Sequence, residues 1–210
     1  MKLINSLTVV NICDKALDLW HKKEKKLEKN SLDSALVILN FKKSGLEKLV
    51  NDSVVINCFL WHLEDRARAK SYSDSVIANI KRAIDVTNQR RNNKMEEIDS
   101  ALLLILKESG VKTKKTARVN TETPGSVVDR LAIISLKIFH MREQANRKDA
   151  EKEHRLKCKN KTAILLEQRK DLLKSLDELL NDLKNGSKKL KMYYQFKMYN
   201  DPSTNPYILK

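Results

Sequence analysis

The chain has 210 residues, 42 Lys and Arg against 27 Asp and Glu, and a net charge of +15. That length supports one domain with a real core, and 41% hydrophobic with 33% charged residues excludes both a disordered chain and a membrane-embedded one. With only four Gly and three Pro, turn-rich β folds are excluded in favour of long uninterrupted helices.

Roughly Thr8 to Glu28 forms a first helix, with Ile12, Ala16, Leu19 or Trp20, and Leu27 at helical spacing and a solvated Lys/Glu run, Lys22 to Lys29, at its end. Ser31 caps a short second helix through Leu39, and Gly45 breaks the pattern. A third helix runs from about Asn51 to Lys70 on a stripe of Val55, Phe59, Leu60, Leu63 and Ala67. Ser73 or Asp74 caps a long fourth helix to Glu108, closed by Gly110. Residues Val111 to Thr121 read as a basic, mobile surface connector. Thr123-Pro124 opens the next helix, with Thr at the cap and Pro at the first helical position. That helix is expected to run to about Lys159, and a last one, to about Asn185, pairs with it as an antiparallel hairpin. The predicted fold is all-α, a single-domain bundle of five or six helices over residues 1–190. Residues 191–210 follow as an ordered extension, anchored on the bundle by its aromatic rings.

The helix containing Ser126 to Met141 is apolar all round and therefore central, yet it carries Asp129, Arg130, Lys137 and His140. A charge buried alone costs several kcal/mol, so each requires a partner or a wet pocket. Asp129 and Arg130 project about 100° apart and cannot simply pair with each other, so their partners belong on other helices. The third helix offers one polar face of Asn57, Trp61, Glu64, Asp65 and Arg68, with His62 three residues before Asp65. The fourth offers Lys81, Asp85, Asn88, Asn92 and Asp99, with Glu96 beside the stripe and Arg91 nearer the apolar edge. Together these stripes enclose an internal polar pocket; the plain alternative is solvated helix faces.

The start at Thr123 also offers free N–H groups to a phosphate or carboxylate, against the alternative of an ordinary capped helix. Cys58 with His62, and His154 with Cys158, have a spacing that could make a Cys₂His₂ zinc set, but such spacing arises easily by chance, and no metal residue is assigned. Glu64, Asp65, Asp85, Glu96, Glu97 and Asp99 could hold Mg²⁺ with a substrate phosphate. Cys13, Cys58 and Cys158 are too few and odd for a disulfide framework. No apolar run reaches the length of a membrane span, and Leu3 to Cys13 lacks a signal-peptide cleavage site, so a cytoplasmic protein is expected. Leu19-Trp20-His21 echoes Leu60-Trp61-His62, too little for a repeat.

Four motifs occur in order: Leu60-Trp-His-Leu-Glu-Asp-Arg-Ala-Arg68; Ile80-Lys-Arg-Ala-Ile-Asp85 with Asn88-Gln-Arg-Arg-Asn92; Glu122-Thr-Pro-Gly-Ser-Val-Val-Asp-Arg-Leu131; and Gln195-Phe-Lys-Met-Tyr-Asn-Asp-Pro202. By these the chain resembles the bacterial domain-of-unknown-function family 4254 along essentially its whole length. The resemblance implies a helical protein of similar length in a surface-glycan setting, with no activity attached.

The expected function is binding of an anionic small molecule, a phosphorylated or nucleotide-linked sugar. Arg68, Lys81, Arg91 and Arg130 would hold the anion, with Asn57, Trp61, Glu64, Asp85, Asn88, Asn92, Thr123 and Lys137 lining the site. His62, Asp65 and Asp129 are the proton-transfer candidates. The rivals are a helical scaffold without catalysis and nucleic-acid binding by the Lys-rich surface, with Tyr193, Tyr194, Phe196 and Tyr199 stacking on bases. A homo-oligomer is compatible with either.

Overall fold

The computed structural model describes residues 3–27, 31–40 and 44–208, leaving aside the Tyr199 side chain. The expected end of the first helix beyond Leu27 and the expected role of the Tyr199 ring lie outside the described residues. Six helices follow one another: α1 (Ser6–Leu27), α2 (Leu32–Ile38), α3 (Gly45–Arg66), α4 (Asp74–Glu108), α5 (Pro124–Asn146) and α6 (Lys152–Lys184). The two strands, β1 (Arg118–Val119) and β2 (Lys188–Lys189), form one short parallel ladder. The fold is an all-α bundle. None of the described helices is long and apolar enough to cross a membrane.

Local chemistry accounts for several boundaries. Ser31 Oγ accepts from Ser34 N at 3.3 Å and starts α2. Ser73 precedes the 35 residues of α4, about 50 Å at 1.5 Å per residue. Gly110, at φ +69°, takes the left-handed position that stops it. Thr123 and Ser126 form a reciprocal capping box at α5, with Pro124 in the first turn. The N-terminus of α1 is closed from a distance: Ser6 donates through N and Oγ to the Asp177 carboxylate of α6 at 2.9 and 2.6 Å.

α5 is the central helix. It packs against α1, α3, α4 and α6. Val127, Val128, Leu131, Ala132, Leu136 and Ile138 carry its apolar character around the helix into one core with Trp20, Val54, Ile98 and Leu176. A smaller core of Leu60, Leu63, Ile80 and Ile84 joins the end of α3 to the start of α4.

Several expectations change. α3 spans Gly45–Arg66 rather than about Asn51 to Lys70, so Gly45, at φ +55°, opens the helix. α5 ends at Asn146 rather than near Lys159: burial stops at Ala145, and the chain turns back through Arg147, which grips Asp149 side-on at 3.2 and 2.6 Å. The connector is pinned rather than loose, by the β1–β2 ladder and by Lys114 N donating to Gly186 O at 2.9 Å. The extension lies along α4, held by Gln195 N donating to Glu96 Oε1 at 3.0 Å and by Ser100 Oγ against Met192 Sδ at 3.8 Å. Of its described rings, Tyr193, Tyr194, Phe196 and Tyr207 are all exposed, and Tyr194 borders a depression lined by Leu49 and Asn93.

Candidate functional site

The requirement that Asp129 find a partner on another helix is met twice. Arg91 of α4 donates Nε to Oδ1 at 2.7 Å and Nη2 to Oδ2 at 2.6 Å, a bidentate pair. Asn57 of α3 donates Nδ2 to the same Oδ1 at 2.9 Å and to Ser53 O at 2.9 Å. Asp129 and Asn57 are buried, while the Arg91 side chain stays 27% exposed and so reaches the surface from the network. The carboxylate pushes the Arg91 guanidinium further up from its usual range, against the opposing effect of burial.

Arg91 forms part of a cleft of 340 Å³ between α3, α4 and α5. Asn57, Trp61, Glu64 and Asp65 of α3 line it too, with Arg68 from the turn after α3, which together are the polar residues read from the sequence as one face. Ile133 and Leu136 supply the α5 wall. The cleft shares Ile133 with a second one of 580 Å³, where Arg130, Lys137 and Glu122 face Gln168 and Asp171 of α6. It shares Trp61 with a third of 540 Å³, mostly apolar, between α5 and α6. The three depressions adjoin through these shared residues along α5 and open to solvent rather than being internal.

Other expected site residues lie elsewhere. Arg130 and Lys137 are exposed, not buried; Arg130 pairs with Glu122 of the preceding loop. Lys81 and Asp85 pair with each other on the outer face of α4, and they line none of these clefts, nor do Asn88 and the buried Asn92. Thr123 is spent in its capping box, and the place kept for an external anion at the start of α5 is taken by a side chain. Asp99 Oδ1 accepts from Gly125 N at 2.7 Å. Burial raises the Asp99 carboxyl, against the lowering effect of its bonds from Thr123 and Gly125. Gly125 is what permits this approach, because a Cβ there would stand 2.4 Å from Met95 O and 3.0 Å from the Asp99 carboxylate. Among the described residues, the carboxylates considered for Mg²⁺ do not converge.

The three proton-transfer candidates are not brought together either. Asp65 sits on the cleft, and Asp129 is buried behind Arg91. His62 lies with His21 of α1 and His140 of α5, and one ring nitrogen of each falls within 4.8 Å of the others. Burial first, then the two neighbouring histidines, lowers the His62 imidazole to about 4, so it is neutral at physiological pH. Cys58, considered as its zinc partner, is fully buried in the core and its thiol is pushed up by burial. Cys158 instead contacts His154, Sγ to Nε2, at 3.5 Å. Sequence reasoning missed the histidine cluster. The one signal was the echo of Leu19-Trp20-His21 in Leu60-Trp61-His62, with Phe139-His140 as a third aromatic–histidine pair.

Residues 47–192 match the sequence model of a family described as protein of unknown function (DUF4254), so the chain belongs to that family. Neither a curated protein nor a solved structure matches it.

Proposed function

We propose that this member of the family binds an anionic small molecule in the groove along α5, of the sugar-phosphate or nucleotide-linked-sugar class, in the cytoplasm. The observation that carries the reading is the state of Arg91. Asp129 occupies its Nε and Nη2 and fixes the guanidinium plane, while Nη1 has no hydrogen-bond partner among the described residues. A preorganised guanidinium at a cleft wall is suited to a phosphate or carboxylate oxygen. Trp61 adds an indole to the same wall, a surface on which a sugar or base can lie. Arg68 stands on the rim of this cleft, and Arg130 and Lys137 stand in the adjoining one, giving an extended anion a second point of attachment. Asp129 acts here by positioning Arg91. Of the two carboxylates at the cleft, Glu64 pairs with Arg68 at 2.8 Å, and Asp65 is the one assigned to proton transfer.

A thermal-shift panel of sugar phosphates, nucleotide sugars and nucleotides tests this. A ligand present at a hundred times its Kd stabilises by about 2.7 kcal/mol. Arg68→Ala and Lys137→Ala, both at exposed positions, are expected to keep the fold and lose the shift. Failure of every compound to raise the melting temperature, or a shift unchanged in both variants, overturns the reading. One observation favours nucleic acid as a second reading: Tyr194 and Phe196 are exposed, with ring centroids 5.5 Å apart, on a basic extension.

A further inference from the structure

We propose that His21, His62 and His140 form a three-imidazole site for one divalent transition-metal ion of the zinc class, each ligating through Nε2. These are three of the four histidines in the chain, and each comes from a different helix. One ring nitrogen of each already lies within 4.8 Å of the others.

The two nitrogens of each ring have opposite circumstances. Nδ1 of His21 hydrogen-bonds Leu17 O at 2.9 Å and Nδ1 of His140 hydrogen-bonds Glu143 Oε2 at 2.8 Å, while Nδ1 of His62 lies 3.4 Å from Glu24 Oε1, an ion-pair contact without a hydrogen bond. A carbonyl or carboxylate only accepts, so in the neutral rings of His21 and His140 the proton sits on Nδ1 and the lone pair on Nε2, and the same tautomer of His62 turns its Nδ1–H toward Glu24. Every Nε2 is buried and has no hydrogen-bond partner among the described residues. Three buried Nε2 atoms in one cluster of imidazoles therefore have no donor among the described residues. A cation is the species that satisfies all three at once. The outer partners are those that ligating histidines use to fix tautomer and raise basicity.

Packing holds the rings in this arrangement. Trp20 of α1 stacks on His62 of α3, centroids 5.4 Å apart and planes at 12°. Trp61 of α3 stacks on His140 of α5 at 4.9 Å and 11°. Phe139 of α5 stacks on His21 of α1 at 3.9 Å and 17°. Each aromatic–histidine dipeptide thus braces the histidine of the next helix, in a closed cycle through α1, α3 and α5. An aromatic cluster built for packing alone is indifferent to where its nitrogens point; here all three orphaned nitrogens are Nε2.

The ligand set selects the ion. Three imidazoles suit zinc, copper, nickel, cobalt or iron, whereas magnesium and calcium need oxygen ligands. Zinc–nitrogen bonds of about 2.0–2.1 Å in a tetrahedral site bring ligand nitrogens to about 3.3 Å from one another, so binding draws the rings inward. Three neutral ligands leave the ion its full charge and a fourth position for an external group. His140 and Trp61 also line the apolar cleft of 540 Å³, which puts that cleft beside the site. The proposal stands independently of the anion-binding reading.

The test uses untagged full-length protein, stripped with a chelator, dialysed and titrated with Co²⁺, with zinc content measured separately by elemental analysis after Zn²⁺ loading. One ion per chain and a visible d–d absorption are expected. His62→Phe, which keeps a ring against Trp20, and His140→Phe should each lose both, while His154→Ala, outside the cluster, should keep them. Glu143→Gln should weaken affinity about 10- to 100-fold, as for other outer partners of ligating histidines. Should one phenylalanine variant misfold, the other and Glu143→Gln decide. Substoichiometric metal in the wild type, or Co²⁺ absorption unchanged in a folded histidine variant, overturns the proposal and leaves an aromatic packing cluster.

Discussion

Arg91 on α4 and Asp129 on α5 meet side-on, Nε to Oδ1 at 2.7 Å and Nη2 to Oδ2 at 2.6 Å. Removing one partner of such a pair strands the other. Arg91→Ala leaves a carboxylate 4% exposed with Asn57 as its remaining donor. Breaking a fully buried pair costs about 3–5 kcal/mol, and the partial exposure of Arg91 places this one near the lower end. Urea unfolding of both single variants and of Arg91→Ala/Asp129→Ala should show the double variant losing less than the sum, by about 0.5–3 kcal/mol. Simple additivity would mean that the pair contributes nothing as a pair.

Gly125 lets the start of α5 touch α4. In an ordinary helix position Gly→Ala gains about 1 kcal/mol. Here a Cβ would lie 2.4 Å from the backbone oxygen of Met95, which cannot swing aside. Gly125→Ala is therefore expected to destabilise, by about 1–3 kcal/mol as for other overpacked sites. Chemical denaturation reads the sign directly, and a stabilised variant would show that α5 can shift away from α4 cheaply.

Much of this organisation is legible in the sequence because it is written in caps and breakers. Ser73, Gly110 and Thr123-Pro124 bound their helices locally, and the all-round apolar pattern of α5 makes it central. The need of Asp129 for partners on other helices follows from burial alone. The turn after Asn146 is not legible, because no Gly or Pro marks it and the helix ends where its burial ends. Arg130 was misplaced because adjacent helical residues point about 100° apart, so the turn that buries Asp129 exposes its neighbour. The histidine cluster depends on three helices crossing at one level, which spacing along the chain does not encode.

Asp99 supplies a pH test whose sign can be worked out. Burial raises its folded-state carboxyl above the ordinary 3.8, so the protonated form is favoured by folding. Its contribution to stability is full below about 3.8 and is lost as pH rises through the folded value. Asp99→Asn should therefore gain on the wild type as pH rises above about 4 in urea unfolding. A wild type that gains instead would mean that the Gly125 and Thr123 donors and the α5 dipole outweigh desolvation.

The three cysteines are all buried, and burial pushes the Cys13 thiol up to about 12. The thiolate is the reactive form, so at neutral pH Cys13 is protonated as well as inaccessible. Cys58 shares both properties. A colorimetric thiol reagent should leave these two unmodified in the native protein and label them on unfolding in guanidinium. Rapid native labelling of Cys13 would mean that α1 opens from the bundle on the timescale of the reaction.

The extension separates the two readings of function. Leu190 is buried and Met192 touches Ser100, but the rings of Tyr193, Tyr194, Phe196 and Tyr207 face solvent. Ending the chain after Met192 removes these rings and little buried surface, so the melting temperature should change little. Single-stranded RNA or DNA affinity at low salt, where present, should fall sharply, since each base stacked on an aromatic ring contributes about 1–3 kcal/mol. Its salt slope measures phosphate contacts, about −0.7 in log K against log salt for each on a single strand. Sugar-phosphate stabilisation should survive the truncation, because the groove along α5 contains no residue of the extension. Its loss would place the anion site on the extension and overturn the groove.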